Sequence, residues 1–274
     1  RQLSIFAGSC YNEKNTGQKG EAQRKMRYQN YVFDLYGTLV DIHTDEEQQM
    51  LWEKMAMFYG YQGAFYTPAE LHDAFYDMVH DLEDMQKSEM LKTGEYAHEA
   101  FPEIQIEDVF LGLFQKKNVE RDMDFAILTG QFFRALSTEY IRLYEGVPQM
   151  LSALKNTGAG VYLLSNAQRA FTEYELKGLD IFKYFDGILI SSDYGTKKPD
   201  IRFFETLFRR YSLKPEECLM IGNDRNTDIA GAKEAGMHTL YIRSNLSPAS
   251  DQGPAAEMEL AQMDIGQVMS MLGL

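Results

Sequence analysis

Side chains suited to acid, nucleophilic and metal chemistry follow four short apolar runs of the sequence. Carboxylates supply the oxygen ligands that hold magnesium, a lysine offsets the charge of an anion, and hydroxyls and amides donate hydrogen bonds to it. Together these residue types suit a phosphate group and a divalent cation. They are Asp34, Tyr36, Gly37 and Thr38 after the first run, Ser165 and Asn166 after the second, Lys198 after the third, and Asn223, Asp224 and Asp228 after the fourth.

The apolar runs themselves predict short buried strands that alternate with helices. They occupy residues 29–35, 161–166, 187–192, 218–223 and 239–243, and segments with helical spacing separate the later ones. This alternation predicts an α/β fold, a doubly wound, Rossmann-like parallel sheet with helices on both faces. Open parallel sheets bind ligands at the carboxyl ends of their strands, so this fold brings the polar residues to one edge.

A long segment without strand character interrupts the alternation. Residues 45–144 show helical spacing in several stretches, the last of them 122–140, and predict an all-helical insertion, here called the cap. The flanking residues 28–44 and 145–274 then form one α/β core domain. Residues 1–27 are polar and lack periodicity, and we expect them to be a flexible N-terminal extension.

Each polar element has an ordinary structural interpretation when it is taken alone. An aspartate at a strand end often caps a turn or a helix, Ser-Asn is a common turn, and Lys-Pro is common in loops. Asp224 and Asp228, four residues apart, would also favour a helix N-terminus. A shared site is favoured because four such elements occur in order, each after a predicted strand.

The four elements resemble the sequence motifs of the haloacid dehalogenase superfamily. DLYGT resembles the first motif, LLSN the second, KKPD the third and GNDRNTD the fourth. The resemblance covers the chain from about Tyr28 to the C-terminal helix. It includes a helical cap inserted after the first motif.

This resemblance implies a role for each residue. Asp34 attacks the substrate and forms a covalent aspartyl intermediate, which water then hydrolyses. Ser165 and Lys198 bind the transferring group. The other implied roles are phosphate binding by Gly37, Thr38 and Asn166, magnesium binding by Asp34, Asp224 and the backbone carbonyl of Tyr36, and support of Lys198 or of the metal ligands by Asp228.

Tyr36 departs from the phosphatases of this superfamily, which usually carry a second aspartate at that position as general acid and base. A tyrosine there resembles the 2-haloacid dehalogenases, which attack carbon and need no metal. Those enzymes hold the halide with an arginine early in the cap, whereas no arginine occurs between Arg27 and Arg121. They also replace the metal-site acid of the fourth motif with neutral residues, whereas Asp224 and Asp228 are present here.

We therefore expect a magnesium-dependent hydrolase, a phosphatase, that cleaves a small phosphorylated metabolite through an aspartyl-phosphate on Asp34. One alternative is a 2-haloacid dehalogenase that acts through an aspartyl ester without metal. A second alternative is a non-catalytic binding protein of the same fold, which the presence of both Asp34 and Lys198 disfavours.

The composition limits the partners and the location. A net charge of -14 leaves no broad basic patch for nucleic acid or an anionic membrane. No apolar run is long enough to span a bilayer, and no secretion signal is visible. The cysteines, Cys10 and Cys218, form no disulfide framework, so we expect a reducing, cytoplasmic setting with Cys218 as a buried thiol. Neither the substrate nor the oligomeric state can be read from the sequence.

Overall fold

The computed structural model describes residues 28–92 and 101–274 of the chain. The predicted N-terminal extension, residues 1–27, and Cys10 within it lie outside the described residues. The strands in the described part are β1 (Asn30–Phe33), β2 (Val40–Thr44), β3 (Thr138–Leu143), β4 (Gly160–Ser165), β5 (Gly187–Ile190), β6 (Cys218–Gly222), β7 (His238–Ile242) and β8 (Met258–Leu260). The α-helices there are α1 (Gln49–Tyr61), α2 (Pro68–Lys92), α3 (Ile106–Lys116), α4 (Met123–Ser137), α5 (Val147–Thr157), α6 (Arg169–Gly178), α7 (Ile201–Tyr211), α8 (Ala230–Glu234) and α9 (Ile265–Leu272).

A parallel sheet of six strands forms the centre of the described fold, in the order β5-β4-β1-β6-β7-β8. Every neighbouring pair in it is parallel. The chain continues from β1 to one side of the sheet and from β6 to the other, so the strand order reverses between these two neighbours. Such a reversal opens a crevice at the carboxyl ends of the strands. The predicted doubly wound parallel sheet is confirmed.

Successive residues of a strand point to opposite faces of the sheet, and each face is covered by helices. Tyr31 and Phe33 of β1 belong to an apolar layer that includes residues of α5 and α9. Val32, between them, belongs to a second layer that includes residues of α7 and α8. Because both faces are buried, the strands are apolar along their length rather than alternating with polar residues. Cys218, at the start of β6, is buried as predicted.

Helices α1 to α4 contribute to an apolar cluster of their own, apart from the two layers on the sheet. Its largest side chains are aromatic and pack by ring contacts, as in Tyr59 and Phe114, whose centroids are 4.2 Å apart. The cluster's buried residues run from Leu51 to Phe133 and therefore lie inside the predicted cap. No helix among the described residues is both long and apolar enough to cross a membrane. The boundaries between core and cap stay a prediction.

The helix predicted for residues 122–140 ends earlier, at Ser137. Thr138–Leu143 form β3, which pairs antiparallel with β2, so the prediction was wrong for residues 138–140 and the cap segment is not helical throughout. Tertiary pairing explains the difference: Arg142 Nη2 donates at 2.7 Å to Asp41, which is buried in β2. The helical spacing of residues 122–140 cannot reveal that β2, a strand far away in the sequence, pairs with part of this segment. The β2–β3 pair lies at the two ends of the predicted cap.

Candidate active site

A cavity of about 190 Å³ lies at the reversal point between β1 and β6. Of the nine residues that were assigned a role from the sequence, six line this cavity, and they come from the segments after β1, β4, β5 and β6. The fold therefore brings together side chains that are far apart in the chain. The lining residues are Asp34, Tyr36, Asn166, Lys198, Asn223, Asp224, Thr227, Asp228, Leu246 and Pro248.

Gly37 and Thr38 lie behind this lining and shape the turn that presents Asp34. Thr38 Oγ1 donates to Asp34 Oδ2 at 3.2 Å, which orients the carboxylate. Gly37 has a φ of +87°, and a Cβ there would lie 2.2 Å from the amide of Asn223, so this position requires glycine. The Gly37 N–H donates to the Val40 carbonyl at 2.8 Å and is therefore used within the turn.

The end of β4 places Ser165 and Asn166 in different environments. The Ser165 side chain is fully buried, and its hydroxyl has no hydrogen-bond partner among the described residues. A buried hydroxyl without a partner is rare in folded proteins, and Ser165 does not itself line the cavity. Asn166 instead uses its amide on Lys198: Oδ1 accepts from the lysine N–H at 2.8 Å, and Nδ2 donates to the lysine carbonyl at 2.9 Å. Asn166 therefore fixes the lysine loop against the end of β4.

The Lys198 ammonium is buried between two carboxylates. Nζ lies 2.8 Å from Asp34 Oδ1 and 2.7 Å from Asp228 Oδ1, and it donates to the Leu164 carbonyl at 2.7 Å. Burial alone would lower the pKa of Lys198, but the charges of Asp228 and Asp34 raise it above its usual value. Burial raises the pKa of Asp228, and Lys198 opposes that shift. The cluster thus keeps a protonated lysine beside Asp34.

The segment after β6 forms a five-residue π-helical turn, Arg225–Ile229. Of the two predicted acids, Asp224 directly precedes this turn and Asp228 lies within it. Asp224 Oδ1 caps this turn by accepting two backbone N–H groups, at 2.8 and 3.3 Å. Asp228 Oδ2 accepts the backbone N–H groups of Asn223 and Asp224, both at 3.0 Å. One oxygen of Asp228 therefore fixes the turn while the other lies beside Lys198.

Asn223 is a site residue to which the sequence analysis gave no role. The amide orientation that matches donors with acceptors directs Nδ2 at Asp34 Oδ2 and Thr38 Oγ1, both at 3.3 Å, and at the Tyr36 carbonyl, at 3.1 Å. Asn223 thereby joins the end of β6 to the turn after β1, across the reversal point. The available sequence signal was its place directly after β6, beside Asp224.

The Tyr36 hydroxyl is bound to helix α6 rather than to Asp34. It donates to the Glu175 carboxylate and lies 3.1 Å from Thr172 Oγ1. Arg134, from α4, donates to Glu175 at 2.7 Å, and its guanidinium lies 5.8 Å from the centre of the Tyr36 ring. Burial, reinforced by the Glu175 charge, raises the pKa of Tyr36 far above its usual value. The hydroxyl therefore keeps its proton near neutral pH and cannot act as a general acid. No motif or spacing in the sequence indicates a role for Glu175 or Arg134.

The oxygen donors at the cavity fit a magnesium ion. Asp34, Tyr36 and Asp224 line the cavity. The hydrogen bonds that Asp224 accepts from described residues go to Oδ1. Within residues 28–92 and 101–274, no group of three or more His, Cys, Asp or Glu side chains is arranged to hold a metal. Magnesium needs no such group, because it is usually held by one or two carboxylates and keeps several waters.

The fold agrees with the family to which the chain belongs. Residues 28–236 match the haloacid dehalogenase-like hydrolase family, so the chain belongs to that family. It is 36% identical over 109 residues to a glyceraldehyde 3-phosphate phosphatase of Methanothermobacter thermautotrophicus, covering 40% of this chain and 48% of that protein. It is 26% identical over 221 residues to the pyrimidine 5'-nucleotidase PynA of Streptococcus pneumoniae, covering 79% and 84%.

The chain spans about half the length of the first curated relatives that it matches. Among solved structures, it resembles a 2-haloacid dehalogenase of Pseudomonas syringae with a TM-score of 0.59 and 19% identity, covering 90% of this chain and 98% of that one. An identity this low supports the shared fold and no particular activity.

The buried ion cluster predicts a large and specific loss of stability. Lys198→Met keeps the length and apolar stem of the side chain but leaves two carboxylates without their cation. We therefore expect the free energy of unfolding to fall by about 3–5 kcal/mol. Lys197→Met is the matched control. Lys197 lies 3.5 Å from Glu103 and is one-third exposed, so its removal should cost less than about 1 kcal/mol. Urea unfolding of both variants measures the difference, and equal losses would show that the cluster does not stabilise the fold.

Proposed function

We propose that this protein is a magnesium-dependent phosphatase that cleaves a small phosphorylated metabolite through a covalent aspartyl-phosphate on Asp34. The observation that carries the proposal is the Asp34 carboxylate beside the Lys198 ammonium, in a cavity that Asp224 also lines. The relatives support it, because those matched in sequence include proteins named as a phosphatase and a nucleotidase.

In the proposed reaction, an Asp34 oxygen attacks phosphorus, forming an oxygen–phosphorus bond while the bond to the leaving oxygen breaks. Water then attacks the same phosphorus, which releases phosphate and restores the carboxylate. Lys198 offsets the negative charge that collects around Asp34, and the Ser165 hydroxyl donates to a phosphate oxygen. Thr38 keeps the Asp34 carboxylate in its orientation.

Magnesium, held by Asp34, Asp224 and the Tyr36 carbonyl, would supply further positive charge at the phosphate. Gly37 and Asn166 are not proposed as direct phosphate donors, because the Gly37 N–H and the Asn166 amide are used within the protein. Their part in phosphate binding is to shape the loops that carry Asp34 and Lys198.

We further propose that residues 45–144 act as a cap on a core of residues 28–44 and 145–274. Arg134 supports this division, because it reaches from the cap to Glu175 in the core. A cytoplasmic setting without nucleic-acid partners is consistent with the net charge of -14.

The dehalogenase alternative is favoured by one observation, the tyrosine in place of a second aspartate. Arg134 does lie beside Tyr36, but its side chain is paired with Glu175 at 2.7 Å. A guanidinium neutralised in this way is a poor site for a halide ion. The acids Asp224 and Asp228 at the cavity also favour a cation over a halide.

A turnover screen separates the two reactions. Phosphate release from a panel of phosphate esters and halide release from 2-haloacids are measured with magnesium and with excess chelator. We expect phosphate release that chelation stops and magnesium restores, because two carboxylates repel a phosphate unless a cation lies between them. Halide release that persists in chelator would favour the dehalogenase.

The nucleophile is tested in the same assay. Asp34→Asn nearly preserves the shape but leaves a poor nucleophile, so phosphate release should fall by roughly a thousandfold or more. Thermal unfolding checks that the variant is folded. A folded variant that keeps a tenth of the wild-type rate would exclude the covalent role.

Tyr36 predicts a preference among leaving groups. Because the Tyr36 hydroxyl cannot supply a proton to the leaving oxygen, the enzyme should favour aryl or acyl phosphates over alkyl phosphates. Tyr36→Asp supplies an acid and should selectively improve the cleavage of alkyl phosphates. A positioned acid typically contributes about a hundredfold to ten-thousandfold. The measurement is the ratio of kcat/KM for p-nitrophenyl phosphate and an alkyl phosphate. Tyr36→Phe, which keeps the ring, should leave this ratio at the wild-type value; a ratio equally unchanged in Tyr36→Asp would contradict the missing-acid explanation.

A further inference from the structure

The residues just before Lys198 also bind a segment of the cap, residues 101–106, here called the docking segment. The Lys197 N–H donates at 3.2 Å to a carbonyl of this segment, and the Glu103 N–H donates at 3.3 Å to the Gly195 carbonyl. An antiparallel bridge lies between these two bonds. The docking segment therefore contacts the backbone directly adjacent to the buried lysine.

Gln168 lies in the core loop after β4, and both the oxygen and the nitrogen of its side-chain amide form hydrogen bonds with the docking segment. Its Oε1 accepts from the Ile106 N–H at 2.9 Å, and its Nε2 donates to Glu103 Oε1 at 2.6 Å and to the Ile104 carbonyl at 3.0 Å. Ile106 begins α3, and Gln105, at the N-cap, makes no side-chain cap bond. A core residue thus supplies the N-terminal hydrogen bond that α3 lacks from its own sequence.

The loop that carries Gln168 also fixes Lys198. Asn166, two residues earlier, holds the N–H and the carbonyl of Lys198. Ala167, between them, donates its N–H to Ser191 Oγ at 2.8 Å, which leaves the loop little independent freedom. Three consecutive residues, 166–168, therefore contact both Lys198 and the docking segment.

We propose that Gln168 is a positioning residue that couples the docking of residues 101–106 to the placement of Lys198 beside Asp34. Its catalytic consequence rests on the proposed function, in which Lys198 binds the transferring phosphate. The Glu103 side chain supports the coupling, because it is largely buried and lies 3.5 Å from Lys197 as well as against Gln168.

The first test is Gln168→Ala. We expect backbone hydrogen exchange to speed up several-fold at Ile106, which bonds Gln168, and at Lys198, whose N–H bonds Asn166. A change of this size is the effect of losing about one net hydrogen bond. With p-nitrophenyl phosphate and magnesium, kcat should fall roughly tenfold to a hundredfold because the lysine is misplaced. KM should change less than kcat.

Gln105→Ala is the matched control. Gln105 also joins the docking segment to the core, but through a 3.4 Å bond to the Ser192 carbonyl rather than through a bond to residues 166–168. We expect the exchange at Lys198 and kcat to stay at wild-type values in this variant. A fall in kcat equal to that of Gln168→Ala would show that any loss of docking has the same effect, and would overturn the specific role of Gln168.

A paired substitution tests the contact itself. Gln168→Glu sets a second carboxylate against Glu103 and should release the docking segment by repulsion. Adding Glu103→Gln restores a donor opposite an acceptor and should return both exchange protection and kcat toward wild type.

If Gln168→Ala accelerates exchange at Ile106 but not at Lys198, the coupling is wrong. If wild-type protein releases no phosphate, the proposed function fails, and the exchange comparison still decides the coupling.

Discussion

A lysine ammonium buried between two carboxylates is the interaction on which the rest of this structure depends. Removing such charges from water costs several kcal/mol for each, and their attraction offsets this only when the geometry is good. Lys198 meets that condition with three oxygen contacts of 2.7–2.8 Å. Asp34 and Asp228 reach it from segments after β1 and β6, so these neighbouring strands must end at the same edge of the sheet.

The surrounding contacts serve to keep these groups in place. Asn166 holds the lysine loop, the π-helical turn presents Asp228, and Asn223 joins the two strand ends. Beyond this cluster, the Tyr36 hydroxyl and the Arg134 guanidinium share Glu175, which brings the cap to the turn after Asp34. Because Glu175 neutralises Arg134, Lys198 is the cation that faces Asp34 within the described cavity. The proposed magnesium ion would add the remaining positive charge that a phosphate needs.

The fold and most of the cavity could be predicted from the sequence because their signals are local. Strands buried on both faces appear as short apolar runs, and the polar residue after each run lies at the carboxyl end by geometry. Interactions between distant segments left no such signal. The strand Thr138–Leu143 depends on pairing with β2, and the environment of Tyr36 depends on Arg134 and Glu175. Nothing near these residues in the sequence indicates their partners.

Acid quenching during turnover, followed by mass spectrometry of the peptides, tests the central proposal most directly. Phosphoryl transfer to a carboxylate predicts the added mass of one phosphoryl group on the peptide that contains Asp34, with magnesium present and with a phosphate ester as substrate. The added mass should disappear when the substrate is exhausted and should be absent in Asp34→Asn. An unmodified Asp34 peptide throughout rapid turnover, or a phosphoryl group on another residue, would contradict Asp34 as the nucleophile.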